Sequence, residues 1–384
     1  MQIGSSIYLD YQATTPIEPR VVSAMAPYNH EIFANPHSTA HVLGQQSAAA
    51  VETARSTIEK CINASSEEVI FTSGATESNN QAIASVIFGN TTERRDILIS
   101  EIEHKCIKNA AYFYAAKLGY KVKEIPVDNT GLINVDAYQS LLSDQTLLVC
   151  IMAVNNEIGT IQDVKTFAEM AHAAGALFHC DAAQAPEAMD IDVKDWNVDM
   201  LSLSAHKVYG PKGIGAIFIK NDLQAELPPF IQGGGQQFGM RSGTLATPLC
   251  VGFAEAMRIT KQEAKTHREQ LTHLKRLFLQ QLQATHIPFK LNGTQSHCHP
   301  GNINVQFIGC DANKLLEKLQ PNVCASTGSA CNSEMVLLSH VLKAIGLTDE
   351  EAGSSLRISL GRFSDEQQIS QAIDYIKASI QNKV

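Results

Sequence analysis

Short apolar runs alternate with helix-like segments through the first half of the chain. The runs lie at residues 69–71, 97–99, 147–154 and 176–180, and segments such as 109–118 and 164–174 have helical spacing. Apolar runs that alternate with helices are typical of parallel strands, because the helices cover both faces of the sheet. The pattern therefore predicts an α/β fold with a mostly parallel sheet.

One later stretch has a different pattern. Residues 198–203 and 214–219 are apolar, and a glycine-containing segment at 210–213 separates them, so we expect a strand, a turn and a second strand. His206 and Lys207 lie at the mouth of this hairpin. On this stretch alone, Lys207 is either a solvated surface cation or a partly desolvated amine that forms a Schiff base with an aldehyde cofactor.

Five polar side chains of different chemistry follow the ends of the predicted strands. They are Thr76, His104, Asn156, Asp181 and Lys207. Ligands of such sheets bind beyond the carboxyl ends of the strands. We therefore expect these side chains to meet at one edge of the sheet and to form a site.

The remaining segments predict a second, α+β unit. An alanine-rich run at 38–61 indicates a long helix, and helical runs at 247–261 and 262–283 lead into the C-terminal part. That part has strand and helix patterns in the order 303–307, 312–319, 336–345, 354–360 and from 365 onward. We place a boundary near residue 262, with a large domain at 16–262 and a small domain formed by 1–15 and 263–384.

Composition narrows the class of function. The 384 residues are 44% hydrophobic and 18% charged, with a formal net charge of -9, which argues against nucleic-acid binding as the main activity. Neither a signal-like start nor an apolar run of transmembrane length is visible, so we expect a cytoplasmic protein without a membrane partner. Nine cysteines without C-x-x-C spacing indicate free thiols in a reducing compartment.

The segment TSGATESNN, residues 72–80, places a glycine turn at the start of a helix. Free amide groups there either form an ordinary helix start or bind an anion such as phosphate. Ser204 and His206 could add hydrogen-bond donors from the hairpin.

Asp181 is open to two interpretations. An aspartate after a strand is commonly a helix N-cap. Beside a Schiff-base lysine it can instead keep a pyridine nitrogen protonated, with Gln184 donating to the ring hydroxyl and His104 stacking on the ring or moving protons.

Two further residues stand out in the C-terminal part. Arg357 lies in a strand pattern, where it forms either an internal salt bridge or a bidentate clamp on a substrate carboxylate, with Arg362 as a competing candidate. Cys331 lies in a segment too rich in Ser, Thr and Gly to pack in a core, so among the nine cysteines it is the one we expect to be chemically active.

The motifs together resemble a known family. In order along the chain they are YLDYQATTP, NPHS, FTSGATESNN, EHK, NNEIG, DAAQ, SAHKVYGPKGIGA, GGGQ, RSGT, GSACNS and SLRISLGRF. From about residue 7 to 363 they resemble the class V aminotransferase-like cysteine desulfurases. The resemblance implies a fold type I aminotransferase-like α/β fold with a seven-stranded sheet. It also implies pyridoxal 5'-phosphate as cofactor and a homodimer with active sites at the subunit interface.

The resemblance also implies a role for each matching residue. Lys207 matches the Schiff-base lysine, Asp181 the partner of the pyridine nitrogen, Gln184 the ligand of the ring oxygen, and His104 the stacking residue that also transfers protons. Phosphate ligands are matched by Thr76, Ser204 and His206, and by Thr244, which is expected to reach the phosphate of the neighbouring subunit. Asn156 and Arg357 match residues that hold the substrate carboxylate, and Cys331 matches the catalytic cysteine.

The implied reaction converts L-cysteine to L-alanine and leaves sulfur as a persulfide on Cys331. The expected acceptor is a protein, either an iron-sulfur scaffold or a thio-modification enzyme of tRNA or DNA, without direct contact to nucleic acid. The alternatives are a selenocysteine lyase, a class V aminotransferase-type enzyme of other specificity, and a sulfur-carrying protein without enzymatic activity. Where the family usually has glycine before the His-Lys pair, this chain has Ala205.

Overall fold

A computed structural model describes residues 2–4, 6–327 and 338–381. Its strands are β1 (Gln2–Ile3), β2 (Ser6–Tyr8), β3 (Val69–Thr72), β4 (Asp96–Ser100), β5 (Lys121–Ile125), β6 (Thr146–Cys150), β7 (Leu177–Asp181), β8 (Met200–Ser204), β9 (Gly215–Ile219), β10 (Phe289–Leu291), β11 (Asn302–Phe307), β12 (Val323–Cys324) and β13 (Ser355–Ser359).

The helices connect these strands and cover their faces. They are α1 (Pro19–Met25), α2 (Pro27–His30), α3 (Val42–Cys61), α4 (Ala75–Gly89), α5 (Lys105–Leu118), α6 (Val135–Leu141), α7 (Val164–Ala173), α8 (Ala185–Ala188), α9 (Asn221–Gln224), α10 (Thr247–Ala284), α11 (Ala312–Leu319), α12 (His340–Ala344), α13 (Asp349–Gly353) and α14 (Glu366–Gln381).

The largest sheet has seven strands in the order β3-β9-β8-β7-β6-β4-β5. The neighbours from β8 to β5 run parallel, and β9 is antiparallel to both of its neighbours. The α/β fold with a mostly parallel seven-stranded sheet is therefore confirmed. Residues of β3, β4, β6, β8 and β9 are buried throughout, because helices cover both faces.

The predicted hairpin is confirmed as β8 and β9. Met200 pairs with Ile219 at one end and Ser204 pairs with Gly215 at the other. A short 3-10 helix, Ala205–Lys207, follows β8. Lys207 therefore stands where β8 ends, at the carboxyl edge of the sheet.

Two sequence predictions for this part differ from the structure. The helix predicted from residue 38 begins at Val42, with the His41 side chain accepting a hydrogen bond from Gly44 N. Residues before it fold back over the helix start, since a Cβ on Gly44 would overlap the Ser38 carbonyl. Strand β5 was not predicted, because its KVKEI sequence at the edge of the sheet is largely polar and only partly buried.

A single helix replaces the two helical runs predicted on either side of residue 262. Helix α10 has 38 residues. Its first half contributes Phe253, Met257 and Ile259 to the core of the large sheet, and its second half contributes Leu274 and Phe278 to a second core. The domain boundary near 262 therefore falls inside a continuous helix and stays a prediction.

The second core lies between α10, α11, α14 and two small sheets. One sheet has the order β10-β11-β13 and the other β1-β2-β12. Because β2 pairs with β12, with Ile7 opposite Val323, the N-terminal segment belongs to this part of the molecule. The helix predicted for 336–345 is described from His340 onward, and its first residues, 336–337, lie outside the described residues.

A small apolar cluster joins α12 to the loops beyond the large sheet. Val341 and Leu342 of α12 pack with Ile102, Met152 and Ile158. The contact brings the C-terminal part against the edge where the predicted site residues lie. No helix among the described residues has the length and apolar character needed to cross a membrane.

Candidate active site

A cavity of about 580 Å³ opens at the carboxyl ends of the central strands. Nine of the residues singled out in the sequence line it: Thr76, His104, Asn156, Asp181, Gln184, Ser204, His206, Lys207 and Arg357. Thr244 is exposed and does not line it. Cys331 lies outside the described residues.

The Lys207 side chain is held at the cavity by the N-terminal segment of the chain. Its Nζ donates to Gln12 O at 2.6 Å and to Ala13 O at 2.8 Å. The 3-10 turn after β8 directs the side chain to these carbonyls. Of the two interpretations left open by the sequence, the partly desolvated amine fits this position, and the free surface cation does not.

Asp181 closes strand β7 and is only 5% exposed. Its Oδ2 accepts a hydrogen bond from Asn79 Nδ2 at 2.7 Å, and its Oδ1 accepts one from Ala183 N at 2.9 Å. The second bond closes a local turn. The N-cap position of helix α8 is Gln184, and no described side chain caps this helix, so Asp181 is not its N-cap. A buried carboxylate with neutral partners retains its attraction for a cationic group in the cavity.

His104 forms the N-cap of helix α5. Its Nδ1 accepts a hydrogen bond from Cys106 N at 3.2 Å and lies 3.0 Å from Cys106 Sγ. Burial lowers the pKa of His104, the Asp181 carboxylate opposes this effect, and Lys207 and Lys105 lower the pKa further. The imidazole is therefore neutral at pH 7.

The start of helix α4 forms the anion-attracting end of the cavity. Its N-cap is Gly74, with φ of +152°, and no described side chain caps the helix. A Cβ on Gly215 of β9 would lie 2.6 Å from Gly74 Cα, so only glycine lets the strand approach the turn this closely. The uncapped amide groups and the helix dipole at this point favour an anion.

His206 adds a further side chain to the lining of the cavity. Its Nδ1 lies 3.1 Å from Thr14 Oγ1. Burial, with Lys207 and Lys212 nearby, lowers the pKa of His206 to about 4. The neutral ring can donate to a bound anion, and an anion would in turn favour its protonated form.

The two competing arginines have different surroundings. Arg357 lines the cavity, where it donates to Asn156 O at 2.9 Å and to Asp10 Oδ1 at 2.7 Å. Its Nε is buried without a partner in the described structure. Arg362 does not line the cavity and lies between Glu18 and Glu187. Arg357 is therefore the candidate for substrate binding, and it also forms the internal salt bridge that was its alternative.

Three residues of the site were not identified from the sequence. Gln12 O accepts from both Lys207 and Gln184, and Gln12 Nε2 is buried without a partner in the described structure. Asn79 bonds Asp181, and Cys106 contacts His104. The only signal was position: Asn79 follows Thr76 by three residues and therefore lies on the same face of α4.

The arrangement fits a phosphorylated aldehyde cofactor with a protonated pyridine ring. The uncapped start of α4 suits a phosphate, Asp181 suits a ring N–H, and Lys207 is an amine within the same cavity. These are the groups that bind pyridoxal 5'-phosphate. The fold and the cavity thus define the class as pyridoxal-phosphate-dependent enzymes with a mostly parallel sheet.

Comparisons with known proteins place the chain within this class. The chain belongs to the aminotransferase class-V family, whose model matches residues 7–372. Over 376 residues it is 42% identical to cysteine desulfurase IscS of Rickettsia typhi, covering 97% of this chain and 91% of that protein.

Solved structures agree with this placement. A NifS-like protein superposes with a TM-score of 0.91 at 31% identity, covering 98% of this chain and 99% of that one. A structure described as SspA in complex with cysteine gives a TM-score of 0.82 at 37% identity, covering 94% of this chain and 100% of that one.

Proposed function

We propose that the chain is a cysteine desulfurase, which converts L-cysteine to L-alanine and takes up the sulfur on Cys331. The observation that carries the proposal is the single cavity in which Lys207, Asp181 and the uncapped start of α4 meet. The names of similar proteins support the reaction, since they include cysteine desulfurases and a structure described as a complex with cysteine.

The cofactor-binding roles follow from the lining of the cavity. When bound, pyridoxal phosphate supplies an electron sink that stabilises negative charge at the substrate Cα. Lys207 would hold it covalently, and Asp181 would keep the ring nitrogen protonated. Gln184 would bind the ring oxygen, and the phosphate would be bound by Thr76, Ser204, His206 and the partner's Thr244.

Arg357 and Asn156 would bind the carboxylate of the substrate. The two residues are already linked, because Arg357 Nη1 donates to the Asn156 carbonyl. A guanidinium on a rigid strand can present two parallel N–H groups to a carboxylate. Binding there would fix the orientation of the substrate relative to Lys207.

Sulfur transfer balances without an external oxidant. The Cys331 thiolate attacks the sulfur of the substrate, a sulfur-sulfur bond forms, and the Cβ–S bond breaks with its electron pair left on the carbon side. Cβ then takes up a proton, so that L-alanine leaves and Cys331 carries a persulfide. His104 would hold or transfer a proton at Nε2, since its Nδ1 already accepts from a backbone N–H.

A homodimer would complete the site. Thr244 is exposed and does not line the cavity of its own chain, which fits a ligand of a neighbouring subunit's phosphate. Phe238, in the same segment, is 49% exposed, and Phe33 is 68% exposed. An interface between copies would bury these aromatic side chains. The persulfide would pass to an acceptor protein, and cytoplasmic location stays a prediction.

The decisive experiment is a single turnover with L-cysteine followed by mass spectrometry of the intact protein. The parent chain should gain one sulfur atom, which a reductant removes, and should release an equal amount of alanine without a keto acid. Cys331→Ser should gain no sulfur, whereas Cys298→Ser, a partly exposed thiol outside the cavity, should behave as the parent. Persulfide on the Cys331→Ser chain would disprove the assignment.

A further inference from the structure

A continuous hydrogen-bonded chain joins Asp181 to His104 along the wall of the cavity. Asn79 Nδ2 donates to Asp181 Oδ2 at 2.7 Å and to Cys106 Sγ at 3.1 Å. Cys106 Sγ in turn lies 3.0 Å from His104 Nδ1. Cys106 also lines the cavity, so the protein has a thiol at its site besides Cys331, the cysteine expected to carry sulfur.

The backbone N–H of Cys106 fixes the direction of the hydrogen bonds at His104. The backbone N–H of Cys106 can only donate, so His104 Nδ1, its acceptor, carries no proton. Cys106 Sγ accepts from the Asn79 amide. Because Nδ1 carries no proton, the 3.0 Å contact between Nδ1 and Sγ is a hydrogen bond in which the thiol donates its S–H. The proton of the neutral His104 ring therefore lies on Nε2.

We propose that Cys106 is a positioning residue, whose thiol donates to His104 Nδ1 alongside the backbone N–H and thereby strengthens the preference of the imidazole for the tautomer with its proton on Nε2. In this state His104 offers a hydrogen-bond donor to the substrate or cofactor. A neutral imidazole that acts as a donor is an established way for an enzyme to polarise an oxygen atom.

The charges around the two groups support this assignment. Burial, followed by the Asp181 carboxylate, raises the pKa of the Cys106 thiol to about 12, so the sulfur keeps the proton it donates. Glu103 acts in the same direction, and Asn79 and Thr76 oppose it. Lys207 and Lys105 face His104 as cations, against Asp181. A protonated thiol is a weak nucleophile, so Cys106 is a donor and not a second sulfur carrier.

The test compares Cys106→Ser with Cys106→Ala by nitrogen NMR of the holoenzyme labelled with [15N]histidine. Serine keeps an O–H donor at this position, and alanine removes it. The parent and Cys106→Ser should show His104 with Nδ1 unprotonated and Nε2 protonated. Cys106→Ala keeps the backbone N–H donor, so it should show a larger share of the tautomer protonated at Nδ1, and a His104 pKa higher by about 0.5–1 pH unit, because one bond to the neutral ring has been lost.

Activity provides a second readout. We expect kcat of Cys106→Ala to fall about three- to tenfold with little change in KM, and Cys106→Ser to restore it. A His104→Gln sample identifies the signals among 13 histidines. Cys61→Ala is the matched control, because burial also raises the pKa of that thiol but it lies outside the cavity. Its spectrum and kcat should equal those of the parent.

Two results would overturn the inference. One is an unchanged His104 tautomer and pKa in Cys106→Ala, and the other is equal effects of serine and alanine. The inference rests on the proposed role of His104, and the two fail separately. If His104→Gln keeps full activity, the role of His104 is wrong, whereas the NMR comparison still decides whether Cys106 sets the tautomer.

Discussion

Two buried polar regions lie close together in this molecule and differ in how their charges are paired. In the cavity, the Asp181 carboxylate accepts from a side-chain amide and a backbone N–H. In the second region, the Arg362 cluster, the guanidinium of Arg362 lies between the carboxylates of Glu18 and Glu187. Thr260 accepts a further hydrogen bond from Arg362.

The charge in the cavity remains available to a ligand, whereas the charges in the Arg362 cluster stabilise the fold. A buried charge with neutral partners can still attract an opposite charge, whereas a guanidinium between two carboxylates has its charge compensated. The Arg362 cluster joins the segment after β13 to α10 and to the segment before α1. Arg362 also stacks on Tyr209, two residues from Lys207, at 4.2 Å from the ring centre. The cluster thus supports the cavity without lining it.

The largest effect is expected at the cavity. Lys207→Ala removes the amine that would hold the cofactor, so the visible absorbance of the bound cofactor at about 400 nm should be lost. Alanine formation should fall by at least about a thousandfold. The thermal unfolding of the cofactor-free chains should differ little, because Lys207 serves the ligand.

The control for this variant lies at the far end of the same hairpin. Lys220 follows β9 and pairs with Asp199 at 3.1 Å, away from the cavity. Lys220→Ala should retain both the absorbance and alanine formation. Covalent cofactor in the Lys207→Ala protein would show that another amine performs this role.

The Arg362 cluster should respond in the opposite way. Arg362→Met leaves Glu187 buried without its guanidinium, so the free energy of unfolding should fall by about 3–5 kcal/mol. Glu18 keeps Arg20 as a partner at 2.9 Å. Denaturant unfolding measures the loss, and alanine formation per folded molecule should stay within about threefold of the parent.

A second substitution tests the cause of that loss. Burial raises the pKa of Glu187, which Arg362 counteracts, so Glu187→Gln in the Arg362→Met background should recover part of the stability. Arg357→Met is the matched comparison, since it should mainly raise KM for L-cysteine. If Arg362→Met raised KM instead and left stability intact, the two arginines would have been assigned in reverse.

The two regions also show what a single sequence can reveal. Hydrophobic periodicity located the central strands of the large sheet, though not β5. Because parallel strands end at one edge, it brought Thr76, His104, Asn156, Asp181 and Lys207 together correctly. The comparison with known families confirmed the fold and the class of enzyme. These predictions depend on the direction of the chain and on where each strand ends, and the hydrophobic pattern of the sequence contains both.

Side-chain direction and pairing are not contained in that pattern. Arg357 and Arg362 lie five residues apart in the same segment. Strand β13 ends at Ser359, so Arg357 lies within the strand and lines the cavity, whereas Arg362 follows the strand and belongs to the Arg362 cluster. The sequence pattern does not show this difference. Cys106 was not singled out among the nine cysteines, because no periodicity shows that the first turn of α5 places its thiol against His104. The role assigned to Cys331 stays a prediction.

The smallest expected effect concerns pH and distinguishes the cavity from the rest of the interior. His206 has a pKa of about 4 in the folded chain, against 6.5 as its ordinary value. Between these pH values the unfolded chain binds more protons, so the free energy of unfolding should fall as pH drops from 6.5 to 4. His206→Gln should reduce the change of the free energy of unfolding with pH by the equivalent of up to about one proton in cofactor-free protein. The reduction should be smaller when a bound phosphate raises the pKa of His206.

His299 lies outside the cavity, and burial lowers its pKa to about 3, so it is the control. His299→Gln should reduce the same pH dependence equally with and without cofactor. Equal behaviour of the two variants on cofactor loading would show that His206 does not face the anion.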